Sequence, residues 1–87
     1  MLALPAVLTM SEARETLAQL GTALAADAAP EIDASGLQSL DTAAVAVLLE
    51  IQRQARAAGK PLRITGAPPK LGELARLYGV EALLGLA

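Results

Sequence analysis

The stretch from Thr42 to Ala58 contains neither proline nor glycine, follows Asp41 and stops at Gly59. Such a run specifies a helix of roughly four to five turns at 3.6 residues per turn. Asp41 supplies a side-chain acceptor for the free N–H groups at its start, and Gly59 supplies the left-handed residue that commonly ends a helix. Wound as a helix, the run places Ala44, Val45, Leu48, Ile51 and Ala55 on one face, and Ala43, Ala46, Glu50 and Arg53 on the opposite one. The first face needs an apolar surface to pack on, and the flanking segments read as strands that provide it. Around Glu31–Ser35, Ile32 and Ala34 share one side; around Pro61–Thr65, Leu62 and Ile64 alternate with Arg63 and Thr65.

The remaining segments continue the alternation. Leu2, Leu4 and Val7 form an apolar opening broken by Pro5, which reads as a short strand over 2–7 at a sheet edge, because proline cannot donate to a central ladder. Thr9 and Glu12 have the spacing of a capping box, with Ser11 as an alternative cap. They open a helix over 10–26 with Ala13, Leu17, Leu20 and Leu24 on one stripe. Gly36 and Ser39 flank a loop ending at Asp41. Pro69 sits where a helix tolerates proline, opening a third helix over 69–78 that turns Leu71, Leu74 and Tyr78 inward and ends at Gly79. Val80–Leu86 adds one or two turns. Strand, helix, strand, helix, strand, helix is the order of an open, largely parallel sheet covered by helices. The predicted core includes Leu17, Leu20, Leu48, Ile51, Leu62, Ile64 and Leu74.

With 87 residues the chain makes one domain, 1–87, with no room for a cleft between domains. The absence of Cys and His excludes disulfides, the usual zinc sites and His-based acid–base chemistry. Seven scattered basic residues, a net charge of −2 and a single aromatic, Tyr78, argue against nucleic-acid binding. No basic leader precedes an apolar core at the start, and the longest apolar run, Ala43–Leu49, is far short of the roughly 20 residues that span a bilayer. A soluble protein is expected. An apolar fraction of 54% on so short a chain implies that a partner covers part of it.

The central helix carries the functional information. Its outward face is polar in the second half but small and apolar in the first, near Ala43 and Ala46, with Val47 at the margin. Alanine is a good helix former on any surface; it also makes a flat patch that another backbone can approach closely. The residues alone support both readings equally. Asp41 reads as an N-cap, and Thr42 then stands at the first helical position, where a phosphate would gain from nearby N–H groups. Asp33 and Asp41 lack the nucleophile–base pair that would make them catalytic carboxylates. Gly59–Lys60 lacks the rest of a phosphate loop. No metal or cofactor site is expected.

The segment Glu31-Ile-Asp-Ala-Ser-Gly-Leu-Gln-Ser-Leu-Asp-Thr-Ala-Ala-Val-Ala-Val-Leu-Leu resembles the core signature of STAS domains, in which a strand leads through a loop into an Asp-Ser/Thr helix start. The tail Leu74-Ala-Arg-Leu-Tyr-Gly-Val and the opening Leu2–Thr9 are similar to the MlaB-type branch, the small STAS subunits of Mla phospholipid-transport ABC complexes. The resemblance implies a STAS-like sheet of three to four strands with three to four helices. It implies a non-catalytic cytoplasmic subunit, peripheral to the inner membrane through its complex, that binds and stabilises or regulates the ATPase of a transporter maintaining outer-membrane lipid asymmetry. Residues Asp41, Thr42, Ala43, Ala46 and Val47 would then form the docking site. The alternative within the fold is an anti-sigma-factor antagonist switched by phosphorylation at Thr42. A small enzyme is the third reading and lacks the groups for it. STAS domains usually open with one more strand than is found here, so an upstream start or an unprotected sheet edge open to self-association is expected.

Overall fold

The computed structural model describes residues 2–86. Its elements are β1 (Leu2–Ala3), β2 (Val7–Leu8), α1 (Met10–Ala26), β3 (Glu31–Asp33), β4 (Ser39–Leu40), α2 (Thr42–Ala57), β5 (Arg63–Thr65), α3 (Pro69–Leu77) and α4 (Glu81–Leu84). The strands form a parallel sheet of order β1-β3-β5 and a short parallel pair β2-β4. This is the expected α/β architecture of parallel strands with four helices.

Strand register explains which side of the sheet is covered. Leu2 pairs with Ile32 and Ile32 with Ile64, so these three share one face. Ile32 and Ile64 are buried there and Leu2 packs against them. Ala3, Asp33 and Thr65 form the next row, on the opposite face, and none of them is buried. The pattern therefore alternates, as in a sheet with one face on the core, whereas parallel sheets covered on both sides carry continuous apolar runs. The helices pack with one another, α1 and α3 and α4 each against α2. Leu48, Ile51 and Ala55 of α2 are fully buried between them and the sheet.

Pro5 splits the expected 2–7 strand into β1 and β2. Leu4 still donates to the Asp33 carbonyl (2.9 Å), and the Ala6 carbonyl accepts from both Gln38 and Ser39 (2.8 and 2.9 Å). The chain thus keeps pairing across the break, and Ser39–Leu40, expected as loop, pairs with Val7–Leu8. Of the expected core, Leu20, Leu48, Ile51 and Ile64 are buried, while Leu17, Leu62 and Leu74 lie at its margin.

Tyr78 does not point inward; it is 54% exposed. The end of α3 explains this. Gly79 (φ 69°) donates to the Arg76 carbonyl and Val80 to the Ala75 carbonyl, the paired bonds of a Schellman turn. That turn brings Val80 back against the core and leaves the preceding Tyr78 outside. The same pair of bonds closes α2, from Gly59 to Arg56 and from Lys60 to Ala55. The Lys60 ammonium then reaches the last carbonyls of α1, 2.6 Å from Leu24 O and 3.2 Å from Ala25 O. Buried Gln52 donates its amide to Leu84 O (3.1 Å) and Leu62 O (3.4 Å), tying α4 and the entry to β5 onto α2.

Candidate functional site

The β2–β4 pair places the two longest helices. Leu8 lies across from Leu40, both buried, and one residue later the chains enter α1 and α2. The caps Thr9 and Asp41 are consequently neighbours. Asp41 accepts from its own helix, Ala43 N–H to Oδ1 at 2.8 Å, and its Oδ2 takes a longer contact of 3.4 Å from the Met10 N–H at the start of α1. One carboxylate thus serves two helix starts, which suits a negative charge facing their dipoles. Glu12 reaches back to the Thr9 N–H (2.8 Å) and accepts from the Thr9 hydroxyl (2.6 Å). The Thr9 hydroxyl is the main reason that the Glu12 carboxyl is held below its ordinary range, opposed in small part by Asp41.

Between the two helix starts lies an open apolar groove of about 330 Å³. From α1 it is lined by Met10, Ala13, Arg14 and Leu17, and from α2 by Ala43, Ala46 and Val47. Ala43 and Val47 are buried beneath it, at 5% and 4% exposure, whereas Ala46 and Met10 stand exposed at its rim. This places the expected docking residues more finely than the helical wheel does. Ala43 is not on an outward face, because α1 packs along that flank of α2; Val47 lies one turn further along the same covered flank. Thr42 is exposed at the first position of α2 and Asp41 is half-buried behind it. Of the five residues, Ala43, Ala46 and Val47 line the groove, and Asp41 and Thr42 stand at the adjoining helix start. Two residues of the facing wall, Ala13 and Leu17, belong to the stripe that helical spacing assigned to the core, yet that stripe is fully buried only from Leu20 onward; Met10 and Arg14 were not read as part of it.

Asp33 lies away from this site. Its carboxylate accepts from the Ser35 N–H at 2.9 Å and is held low chiefly by Ser35. Gly66 stands against the same turn with φ 67°, where a Cβ would meet Ser35 Cβ at 2.9 Å. Both are structural features of the β3 exit. Among the described residues no group of three or more acidic side chains is arranged to hold a metal, and no helix is long and apolar enough to cross a membrane.

A family model described as Mlab, STAS domain, matches residues 1–85. The chain belongs to this family. The match takes in every strand and helix described above, including the β2–β4 pair and the two helix starts. No curated protein matches the chain. For this Mlab-type STAS domain, the groove beside Thr42 is the feature that combines an apolar opening with the Asp-Thr helix start of the motif.

Proposed function

We propose that this chain is the accessory STAS subunit of a phospholipid-transporting ABC complex and docks on the ATPase through the groove between the starts of α1 and α2. Membership of the Mlab STAS family supports the complex. The observation that carries the site is the groove itself: apolar walls, a floor of buried Ala43 and Val47, exposed Ala46 at its rim, and exposed Thr42 next in sequence to Ala43 at the head of α2. Small side chains let a partner backbone come close, and apolar surface left open on one partner is what association removes from water. The subunit does no chemistry of its own; it stabilises or regulates the ATPase from the cytoplasmic side of the membrane.

Co-purification with the ATPase subunit of the same cell tests this. Ala46→Glu sets a longer, charged side chain into the small apolar surface and makes binding strip its water, which is expensive, and Thr42→Glu places a charge at the head of α2 beside the groove. Both variants should keep the melting behaviour of the wild type, since Ala46 and Thr42 are exposed and an acid suits a helix start. Both should lose at least tenfold in affinity, about 1.4 kcal/mol, while Arg63→Glu on β5 should bind as the wild type does. Folded variants that co-purify undiminished would place the contact elsewhere.

The exposure of Thr42 at the head of α2 also favours one second reading, an anti-sigma-factor antagonist. Stoichiometric phosphothreonine at Thr42 in protein from its native cell, with a cognate kinase, would select that reading; an unmodified Thr42 agrees with the transport subunit.

A further inference from the structure

We infer that the partner segment entering the groove is an amphipathic helix that inserts two apolar side chains one turn apart and sets a carboxylate against Arg14. This rests on the docking reading above and names what docks. The groove follows α1 from Met10 to Leu17, seven residues or about 10 Å of helix. That length matches two apolar side chains at i and i+3 or i+4 on a helix laid alongside, the spacing by which amphipathic helices fill grooves. Its floor and sides are Ala, Val, Leu and Met, so the inserted side chains must be apolar.

Among the described residues, Arg14 is the one charged residue lining the groove. The ion pairs among the described residues join Arg53 to Glu50 and Arg76 to Glu81, so Arg14 is left without a carboxylate. The acids at the two helix starts, Asp41 and Glu12, are committed to backbone N–H groups and the Thr9 hydroxyl, and Glu50, one turn beyond Ala46, is paired with Arg53. On a chain of net charge −2, a free guanidinium beside an apolar groove selects a partner carrying the opposite charge. A planar guanidinium also matches a carboxylate in a two-bond geometry that fixes the register of the incoming helix.

The test titrates the ATPase subunit of the same cell into the full chain at about 50 mM and about 500 mM salt, where a partly exposed pair is first felt and then screened. Arg14→Glu should weaken binding at least tenfold at low salt, and Arg14→Gln should weaken it less and flatten the salt dependence. Ala46→Glu should weaken binding at both salt concentrations, and melts of each variant alone should match the wild type. If Ala46→Glu loses binding while Arg14→Glu and Arg14→Gln bind like the wild type, no acid meets Arg14 and this inference fails with the docking reading intact. If all of them bind like the wild type, the docking reading itself fails. If ultracentrifugation shows the chain alone to be a dimer that Ala46→Glu converts to a monomer, the occupant is a second copy and the inference is overturned.

Discussion

Leu8 lies directly across from Leu40 in the parallel β2–β4 pair, and this register fixes the relation between the two long helices. Each leucine is buried and each is followed at once by a helix cap, Thr9 and Asp41. Two residues of pairing on each strand thereby deliver two helix starts to one place, and the groove between them follows. Asp41 reinforces the arrangement by bonding to Ala43 and reaching Met10.

Removing that carboxylate tests the arrangement. Asp41→Ala should cost about 1–2 kcal/mol, the upper part of the range for a lost N-cap, because the contact to Met10 goes with it. Asp41→Asn keeps an acceptor for Ala43 and should cost less. Urea denaturation of the two variants reads the difference.

The buried face of α2 gives a packing prediction. Leu48 has no exposed surface. Leu48→Ala should cost about 2–5 kcal/mol through lost transfer energy and the cavity left behind. Tyr78→Ala should change stability by no more than about 0.5 kcal/mol, as for an ordinary surface position. Equal losses at the two positions, in the same melts, would contradict the exposure of Tyr78.

Tyr78 also shows where sequence reasoning stops. Helical spacing from Leu71 and Leu74 points position 78 inward, and the pattern is sound for as long as the helix continues. The helix ends at Leu77, and the Schellman turn hands the inward position to Val80. The same limit applies to Ser39–Leu40: a two-residue strand has no period to detect, and its pairing partner lies some thirty residues away, a separation of 32 between Val7 and Ser39. The helices read over 10–26 and 42–58, the second of which ends at Ala57, and the signals Thr9, Asp41 and Gly59 at their ends were legible because each rests on local chemistry. The small apolar surface on the α2 side of the groove was legible through Ala43, Ala46 and Val47. Its α1 side was hidden because Ala13 and Leu17 belong to the same stripe as buried Leu20 and Leu24, and only the packing shows how far along that stripe α2 extends.

Glycine positions separate two kinds of backbone demand. Gly59 (φ 69°) has open space where a Cβ would go, so Gly59→Ala should cost about 1–2 kcal/mol from the left-handed conformation alone. Gly66 (φ 67°) adds contacts of 2.9 Å to Ser35 Cβ and 3.2 Å to its backbone nitrogen. Gly66→Ala should therefore be the more destabilising of the two. Matching denaturation midpoints would remove the close approach from the account.

Acid sensitivity should be traceable to the start of α1. The Thr9 hydroxyl, followed by the Thr9 backbone N–H, holds the Glu12 carboxyl below its ordinary 4.5. A carboxyl with a lowered folded pKa binds protons more weakly in the folded state than in the unfolded one, so its stabilisation is full above the ordinary value and is lost as pH falls through the lower one. Glu12→Gln should be less stable than the wild type near neutral pH, and the gap should close on acidification below about pH 4. Denaturant midpoints across that range measure the gap; a gap that widens in acid would reverse the sign of the argument.

The chain has no cysteine, so a single introduced thiol reports on one surface position without background. Ala46→Cys stands at the groove rim and Arg63→Cys on β5, both exposed. The direct test of the docking surface is the alkylation rate of each thiol with and without saturating ATPase subunit. The account predicts that the ATPase slows alkylation at position 46 by at least about tenfold, as expected for a residue whose open state is reached only on dissociation, and leaves position 63 unchanged. Unchanged alkylation at position 46 in a complex shown to be formed, with protection at position 63, would contradict it.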